Sequence, residues 1–359
     1  MRQNKAITIL GGGNGAHAMA ADLCSKDYTV RLFEMNKFRH NMESVFKTRS
    51  IEAVGEIQGN FVLDMVTDDI NKAIDGVKYI MVVNPAYAHK DYAELLKGKV
   101  KSNQVIMTFP GSFAALIFKK IFGEAECPAL VDSNDLPYNA RLIGPGKVKI
   151  YNKGSVSIGF LPCSQETELI TEIENMFSIK KVFSDVMECG LSIVNPALHS
   201  GPCLLNAGPI ESVTTTFYLY EQGFTPAAAK VNKALDDERK AIALKLGYKI
   251  NPFECFSCIN EDYTWKDLYR AAHGDIGLTP ICGPNDLNSR YLIEDASCGL
   301  VPWANIGKAV GADTTTISAI IDIYSVFHEK DWWSEGVTLG DLGLEGMSVK
   351  EMKEYFRTG

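Results

Sequence analysis

Residues 6–16 read AITILGGGNGA, and this run predicts the architecture of the first half of the chain. It starts with a short apolar run typical of a buried strand, and the glycines open a run of small residues typical of a helix. As a G-x-G-x-x-A pattern, it places Gly11 in a tight turn and Gly13 where the backbone approaches a pyrophosphate. Backbone N–H groups and the helix dipole hold phosphates in such loops. The residues of this loop assigned to cofactor binding are Gly11, Gly13, Asn14, Gly15 and Ala16.

A carboxylate follows the next apolar run, Tyr28–Phe33, at Glu34, which lies 21 residues after Gly13. An acidic side chain at this position accepts hydrogen bonds from the adenosine ribose hydroxyls and repels a 2′-phosphate. The sequence therefore favours NAD as the cofactor. NADP is the alternative, because Arg31 and Arg39 flank Glu34 and an arginine there binds the 2′-phosphate.

Short apolar runs alternate with helical patterns over the first ~180 residues, which is typical of βαβ units around a parallel sheet. The runs are 6–10, 28–33, 79–83, 104–109 and 129–131. Two further runs, 147–150 and 155–160, are predicted to form a hairpin appended to the sheet, with Asn152-Lys153-Gly154 between them.

The loops after the runs 79–83 and 104–109 are expected to border the nicotinamide, because ligands bind outside the carboxyl ends of parallel strands. These loops contain Asn84, Pro85 and Pro110. Ordinary turn chemistry is the alternative explanation for the same residues.

Strand patterns disappear after about residue 185. Thr225-Pro226 predicts the beginning of a long helix that ends near Gly247, and 236–240 supplies its charge. Its inner stripe comprises Val231, Leu235, Ile242 and Leu246, and further helices are predicted at 301–310, 315–327 and 348–356. We therefore predict an α/β fold with a Rossmann-type NAD(P)-binding domain, residues 1–185, followed by an all-helical substrate and catalytic domain, residues 186–359.

Composition excludes some functional classes. The 359 residues carry 36 Lys and Arg against 44 Asp and Glu, a net charge of −8, which argues against a nucleic-acid partner. Nine cysteines without regular spacing, behind a polar N-terminus without an apolar leader, predict reduced thiols and a cytoplasmic location. Cys255 and Cys258 have the spacing of a metal pair but lack a second pair, so no metal is predicted. The charge-free stretch 189–210 contains prolines and asparagines, which predicts buried protein rather than a membrane span.

Hydride transfer to a carbonyl or imine needs a proton donor near neutral pH, and histidine is the usual one. His199 lies within the charge-free stretch, and an isolated histidine there is more often a satisfied core residue unless a carboxylate orients it. The segment 285–302, NDLNSRYLIEDASCGLVP, has a cation and two carboxylates within six residues, although a surface ion pair is the alternative interpretation. The other histidines are His17 near the phosphates, His89 as second candidate, and His40, His273 and His328 as solvated residues.

These motifs resemble the opine dehydrogenases, the octopine/nopaline dehydrogenase family. The resemblance runs through GGGNGAH at 11–17, N-x-x-x-H at 195–199, LLNA at 204–207, Gly283-Pro284, SRYLIEDASCGLVP at 289–302 and TLGDLGL at 338–344. It implies a Rossmann domain followed by a helical domain like the C-terminal domain of 6-phosphogluconate dehydrogenase. It also implies reductive condensation of an amino acid with a 2-oxo acid, here pyruvate, through an imine that NAD(P)H reduces.

The resemblance places the family's proton-relay histidine on His199, its partner aspartate on Asp295 and its substrate-side arginine on Arg290. Asn195 and Tyr291, from the same two motifs, are assigned to substrate binding. Two other functions stay open: a reductase of 2-oxo acids or hydroxy-phosphates, and an NAD-binding sensor without chemistry. The expected partners are small-molecule substrates, with a homodimer through the helical domain as a further expectation. Tyr263, Trp265 and Tyr269 are candidates for a side-chain pocket or for packing.

Overall fold

The computed structural model describes residues 5–123, 127–212, 216–253, 259–274 and 282–359. These residues divide into two compact units: unit 1 contains Met1–Gly190 and Glu354–Gly359, and unit 2 contains Leu191–Lys353. The predicted boundary at 185/186 lies just before this division. The C-terminal residues return to unit 1, so the chain order of the units is not a simple succession.

Unit 1 is built on an eight-stranded sheet in the order β12-β11-β8-β7-β6-β1-β2-β5. Its strands are β1 (Ala6–Leu10), β2 (Thr29–Phe33), β5 (Met65–Thr67), β6 (Tyr79–Val82), β7 (Val105–Thr108), β8 (Ala129–Ser133), β11 (Val156–Leu161) and β12 (Ile179–Val182). Neighbouring strands are parallel except β8 and β11. Because β1 pairs with β2 on one side and β6 on the other, the strand order reverses at β1, where such sheets bind ligands.

A second, four-stranded sheet in unit 1 has the order β4-β3-β10-β9. Its strands are β3 (Ser50–Gly55), β4 (Gly59–Val62), β9 (Tyr138–Gly144) and β10 (Lys147–Lys153). The predicted hairpin between 147–150 and 155–160 is therefore wrong. The tight turn lies instead at Pro145-Gly146, where Gly146 has φ +68°, so β10 pairs with β9. β11 is buried along its whole length and joins the main sheet, whereas β10 alternates between buried and exposed residues.

Helices cover the sheet of unit 1 and form nearly all of the regular structure of unit 2. Those of unit 1 are α1 (Asn14–Ser25), α2 (Glu43–Thr48), α3 (Ile70–Ile74), α4 (His89–Leu96), α5 (Ala114–Phe122) and α6 (Glu166–Met176). Unit 2 contains α8 (Asn195–Leu205), α9 (Ala207–Ser212), α10 (Pro226–Leu246), α11 (Trp265–Ala272), α12 (Arg290–Glu294), α13 (Val301–Val310), α14 (Thr315–His328) and α15 (Trp332–Glu335). α7 (Val186–Leu191) and α16 (Val349–Thr358) span the boundaries, and 219–223 and 295–300 are π-helical. The predicted α/β region followed by a helical one is confirmed.

Helix α10 begins and ends where the sequence predicts. The Thr225 hydroxyl accepts a hydrogen bond from the Ala228 N–H at 3.3 Å, and Gly247 ends the helix with φ +88°. The charged run 236–240 is not entirely exposed to solvent, because Asp236 and Arg239 are 0% exposed. They form an ion pair at 2.5 Å.

The buried ion pair is satisfied on all sides, as a buried charge requires. The Tyr263 hydroxyl donates to Asp236 Oδ2 at 2.8 Å, and Arg239 donates to the carbonyl of Leu191 at 2.6 Å. Tyr263 therefore serves the packing of unit 2, the second of the two roles considered for it.

The described residues bear on three features considered from composition: membrane spans, metal ligands and cysteines. Among the described helices, none has the length and apolar character needed to cross a membrane. Within the described part of the chain, no cluster of side chains could hold a metal ion, and seven cysteines are free thiols. The Cys255–Cys258 pair lies outside the described residues.

Candidate active site

The glycine loop joins β1 to α1 at the point where the strand order reverses. Gly11 has φ +124°, and a Cβ on it would overlap the carbonyl oxygen of Val83, so this turn requires glycine. Gly13 precedes α1, and a Cβ on it would meet nothing within 4 Å. No side chain makes a capping hydrogen bond to the first turn of α1. Ala16 is fully buried against the sheet. An open helix N-terminus behind a glycine turn fits a pyrophosphate.

Asn14 and Gly15 hold the loop rather than extend from it. The side-chain oxygen of Asn14 accepts a hydrogen bond from the Leu142 N–H of β9 at 2.8 Å, which ties α1 to the second sheet. A Cβ on Gly15 would lie 2.7 Å from the Leu136 side chain. Both residues therefore offer backbone N–H groups, and not side chains, to an anion.

Glu34 lies directly after β2, beside the glycine loop, and is 7% exposed. One carboxylate oxygen accepts the Met35 N–H at 2.8 Å and the Tyr92 hydroxyl at 3.4 Å. Burial raises the pKa of this carboxyl, while the hydrogen bond from Met35 opposes the shift. The other oxygen lies against Gly12. The acid is thus held at the edge of the loop where a ribose would be recognised.

The two arginines that could instead bind a 2′-phosphate are already paired with acids. Arg31 contacts Asp64 at 3.1 Å and donates to the Asp75 carbonyl at 2.6 Å. Arg39 contacts Asp68 at 2.5 Å. A phosphate would have to displace a carboxylate from either arginine, so these contacts favour an uncharged ribose.

Asn84 and Pro85 form the loop after β6, next to the glycine turn: Asn84 Cβ is 3.9 Å from a Cβ built on Gly11. The Asn84 amide makes no hydrogen bond of normal geometry to a described residue, with Tyr92 as its polar neighbour. A buried amide with only the Tyr92 hydroxyl as a polar neighbour among the described residues fits contact with a ligand.

Pro110 lies in the loop after β7, and Asp132 holds this loop. Asp132, at the end of β8, accepts the Ala115 N–H at 3.1 Å and the Thr108 hydroxyl at 2.5 Å. Ser112 and Phe113 have φ +45° and +65°, a costly conformation for residues other than glycine. Burial raises the pKa of Asp132 to about 6. The sequence Asp132-Ser133-Asn134 departs from the family pattern at this point, and it is expected to lie near the substrate or the nicotinamide.

Burial makes two histidines of unit 1, His17 and His89, poor proton donors at neutral pH. His89 is 0% exposed, neither ring nitrogen has a partner among the described residues, and burial lowers its pKa to about 3. Burial also lowers the pKa of His17, whose Nδ1 lies 3.0 Å from the Gly13 carbonyl. His40 is exposed.

The two remaining histidines of unit 2 are partly buried rather than solvated, which corrects the expectation from the sequence. His328 accepts from the Trp332 indole at 2.8 Å, so its other nitrogen donates to the Leu287 carbonyl at 2.9 Å. His273 lies 2.8 Å from the Tyr269 carbonyl. The His273 ring thus bonds to its own helix, whereas the His328 ring joins α14 to α15 and to Leu287.

His199 is the histidine that pairs with a carboxylate among the described residues. Its Nδ1 lies 2.8 Å from Asp295 Oδ2, and the two side chains are 12% and 9% exposed. The carboxylate keeps the shared proton on Nδ1, so Nε2 is the nitrogen left to exchange protons. The Tyr291 ring packs edge-on against the imidazole with centroids 4.6 Å apart.

The pair depends on close contact between α8 and the π-helical segment that begins at Asp295. A Cβ on Gly299 would overlap the Pro196 ring, so glycine lets the two backbones approach. Asn195 lies one turn before His199 on α8 and is half-buried. The sequence segments 195–199 and 289–302, far apart in the chain, meet here as expected from the motifs.

Arg290 stands at the exposed end of the same cluster. Its side chain is 65% exposed, and it lies 4.0 Å from the Glu294 carboxylate, a weak ion pair. A guanidinium held this loosely can turn toward a ligand carboxylate and bind it through two hydrogen bonds.

Trp265, one of the candidates for a side-chain pocket or for packing, lies on α11 and packs against Lys230.

Comparison with known proteins agrees with this arrangement. A family model for the alpha-helical domain of NAD/NADP octopine/nopaline dehydrogenases matches residues 182–328. An opine dehydrogenase from Arthrobacter sp. (strain 1C) is 32% identical over 356 residues, covering 97% of this chain and 98% of that protein.

Solved structures share the fold at lower identity. Octopine dehydrogenase with NADH and L-arginine has a TM-score of 0.77 at 17% identity, covering 97% of both chains. Yersinopine dehydrogenase with NADP⁺ has a TM-score of 0.69 at 13% identity, covering 99% of both chains. The full-length similarity to the Arthrobacter enzyme and the matching helical domain together show that this chain belongs to the opine dehydrogenase family, whose members are NAD- or NADP-dependent oxidoreductases.

Proposed function

We propose that this protein condenses the amine of an amino acid with pyruvate or a similar 2-oxo acid and reduces the resulting imine. The observation that carries this proposal is the His199–Asp295 pair, 2.8 Å apart, in the same cluster as the exposed Arg290. The Arthrobacter relative is an opine dehydrogenase, and solved octopine dehydrogenase complexes hold NADH with L-arginine or with pyruvate. These relatives support both the reaction class and the choice of 2-oxo acid.

Unit 1 holds the dinucleotide through the backbone of the glycine loop and the Glu34 carboxylate. The N–H groups at the start of α1 bind the pyrophosphate, and Glu34 accepts the ribose hydroxyls. The residues proposed to contact the cofactor are Gly11, Gly13, Asn14, Gly15, Ala16, Glu34, Asn84, Pro85 and Pro110. When bound, NADH supplies the hydride.

Unit 2 binds the substrates and handles the proton. Arg290 binds a substrate carboxylate, with Asn195 and Tyr291 beside it. The imine carbon gains a hydride and the product nitrogen gains a proton, so a proton donor is needed at each turnover. His199 gives that proton from Nε2 in the direction of condensation and takes it back in the direction of breakdown. Asp295 fixes the imidazole tautomer and stabilises the imidazolium.

Activity should require both substrates. Oxidation of NADH is expected with pyruvate plus a suitable amino acid, and not with pyruvate alone, because the imine is the acceptor of the hydride. A panel of amino acids, each with and without pyruvate, measures this by the loss of NADH absorbance. Turnover with the oxo acid alone would instead identify a 2-oxo acid reductase. Binding of NADH without turnover across the panel would identify a sensor.

Charge reversal at Glu34 should move cofactor preference toward NADP. In Glu34→Arg the repelling carboxylate is replaced by a cation, so the ratio of kcat/KM for NADPH to that for NADH is expected to rise about 10–100-fold. Glu34→Gln, which fits the same buried position, should move the ratio in the same direction by less. An unchanged ratio in both variants would transfer the selectivity to Arg31 or Arg39.

Two further predictions concern the cellular location and the oligomeric state of the enzyme. We infer a cytoplasmic location, because a chain with nine cysteines, seven of them free thiols in the described residues, suits a reducing compartment. A homodimer stays a prediction from the sequence, and sedimentation velocity on the purified protein tests it.

A further inference from the structure

Helix α8, which carries His199, contains a proline in its interior. Pro202 has no N–H, so the carbonyl of Leu198, four residues earlier, loses its donor within the helix. This carbonyl belongs to the peptide group that joins Leu198 to His199. The missing hydrogen bond therefore lies directly beside His199, the residue that pairs with Asp295.

A side chain from another helix fills this gap. Asn232, on α10, is 0% exposed and donates from Nδ2 to the Leu198 carbonyl at 2.7 Å. Its Oδ1 accepts the Gly201 N–H at 3.0 Å. The single carboxamide thus binds the α8 backbone on both sides of His199.

Gly201 makes this contact sterically feasible. A Cβ at position 201 would overlap Asn232 Oδ1 and lie 2.8 Å from the Ala228 carbonyl, so only glycine lets α8 approach α10 this closely. The residue before it on α8 is held from a third helix, because the Tyr324 hydroxyl donates to the Ser200 carbonyl at 3.1 Å. The backbone that carries His199 is fixed by side chains of α10 and α14.

We propose that Asn232 is a positioning residue of the reaction: its carboxamide replaces the hydrogen bond that Pro202 removes and keeps His199 in register with Asp295. This inference rests on the proposed role of His199. An alanine in place of Pro202 would restore the helix hydrogen bond locally but would not tie α8 to α10. The Pro202–Asn232 pair replaces a bond within one helix by a bond between two helices, which sets the rotation of α8 at His199.

The test is a double-mutant cycle of wild type, Asn232→Leu, His199→Ala and the double variant. Leucine has a similar volume but removes both hydrogen bonds that the Asn232 side chain makes to α8. The kcat of Asn232→Leu is expected to fall about 10-fold or more, since small displacements of a catalytic group are costly, while the Kd for NADH stays unchanged. In the His199→Ala background the same change should alter kcat less than about twofold, because Asn232 acts through His199.

Pro202→Ala supplies the conservative rescue. The introduced alanine restores a backbone donor for the Leu198 carbonyl, so Asn232→Leu combined with Pro202→Ala should regain part of the lost kcat. Where Asn232→Leu yields no folded protein, Asn232→Asp takes its place in the cycle, since it keeps the acceptor for Gly201 and replaces the donor to Leu198 by a carboxylate oxygen.

Two outcomes would overturn the proposal. One is a kcat for the Asn232 variant within about twofold of wild type, and the other is an equal loss of kcat with and without His199, which indicates a general structural role. The His199→Ala protein separates this failure from failure of the proposed function. If the single variant His199→Ala keeps the kcat of wild type, then His199 is not the proton donor, and the proposed function of His199 fails together with the role of Asn232.

Discussion

Turnover of the His199→Ala protein is expected to fall by about 10²–10⁴-fold, the usual contribution of a general acid–base group. Asp295 occupies Nδ1 of the imidazole at 2.8 Å, so Nε2 exchanges the proton, and alanine removes that atom without a substitute. The Kd for NADH should stay near the wild-type value, because the dinucleotide loop belongs to unit 1 and His199 to unit 2. Steady-state kcat and fluorescence titration with NADH measure the two quantities.

A matched control is His40→Ala, which removes an exposed imidazole of unit 1 and should leave kcat within about twofold of wild type. If His199→Ala also stayed within a few-fold of wild type, the relay would have to be assigned elsewhere. His89 is a weak replacement, since full burial lowers its pKa to about 3 and keeps it neutral at working pH.

The parallel sheet and the bounds of α10 could be predicted from the sequence because local signals fix them. Continuous apolar runs followed by glycine or proline describe buried parallel strands, and Thr225, Pro226 and Gly247 describe a helix with both ends capped. The second sheet could not be predicted in the same way. Its strands β3 and β10 pair over nearly a hundred residues of chain, and no local pattern identifies a partner strand at that distance.

The residues of the site also divide into those that local sequence signals predict and those that depend on distant parts of the chain. The glycine loop and Glu34 belong to one βαβ unit, so their spacing in the sequence already reports their proximity. The pairing of His199 with Asp295 spans 96 residues. The residues indicated the segment that supplies the carboxylate, and the resemblance to a family selected Asp295 within it. Asn232 was missed because its role depends on a neighbouring helix that lacks a backbone donor.

Asp295→Asn is expected to lower kcat by an amount similar to His199→Ala, although it preserves the shape of the side chain. An amide can turn its NH₂ group toward Nδ1, which moves the imidazole proton to Nε2 and leaves the wrong tautomer. It also removes the negative charge that stabilises the imidazolium, and loss of an orienting aspartate costs up to about 10⁴-fold in a comparable dyad. Asp237→Asn is the matched control, since it makes the same change at an exposed acid paired with Lys233.

The double variant His199→Ala/Asp295→Asn separates a supporting role of Asp295 from an independent one. Because Asp295 is proposed to act through the imidazole, its loss should cost nothing further once His199 is absent, and the double variant should match His199→Ala in kcat. Losses that multiply would mean that Asp295 acts on the substrate directly. A raised KM for the 2-oxo acid with unchanged kcat in Asp295→Asn would mean that the carboxylate supports substrate binding near Arg290 and not the proton transfer.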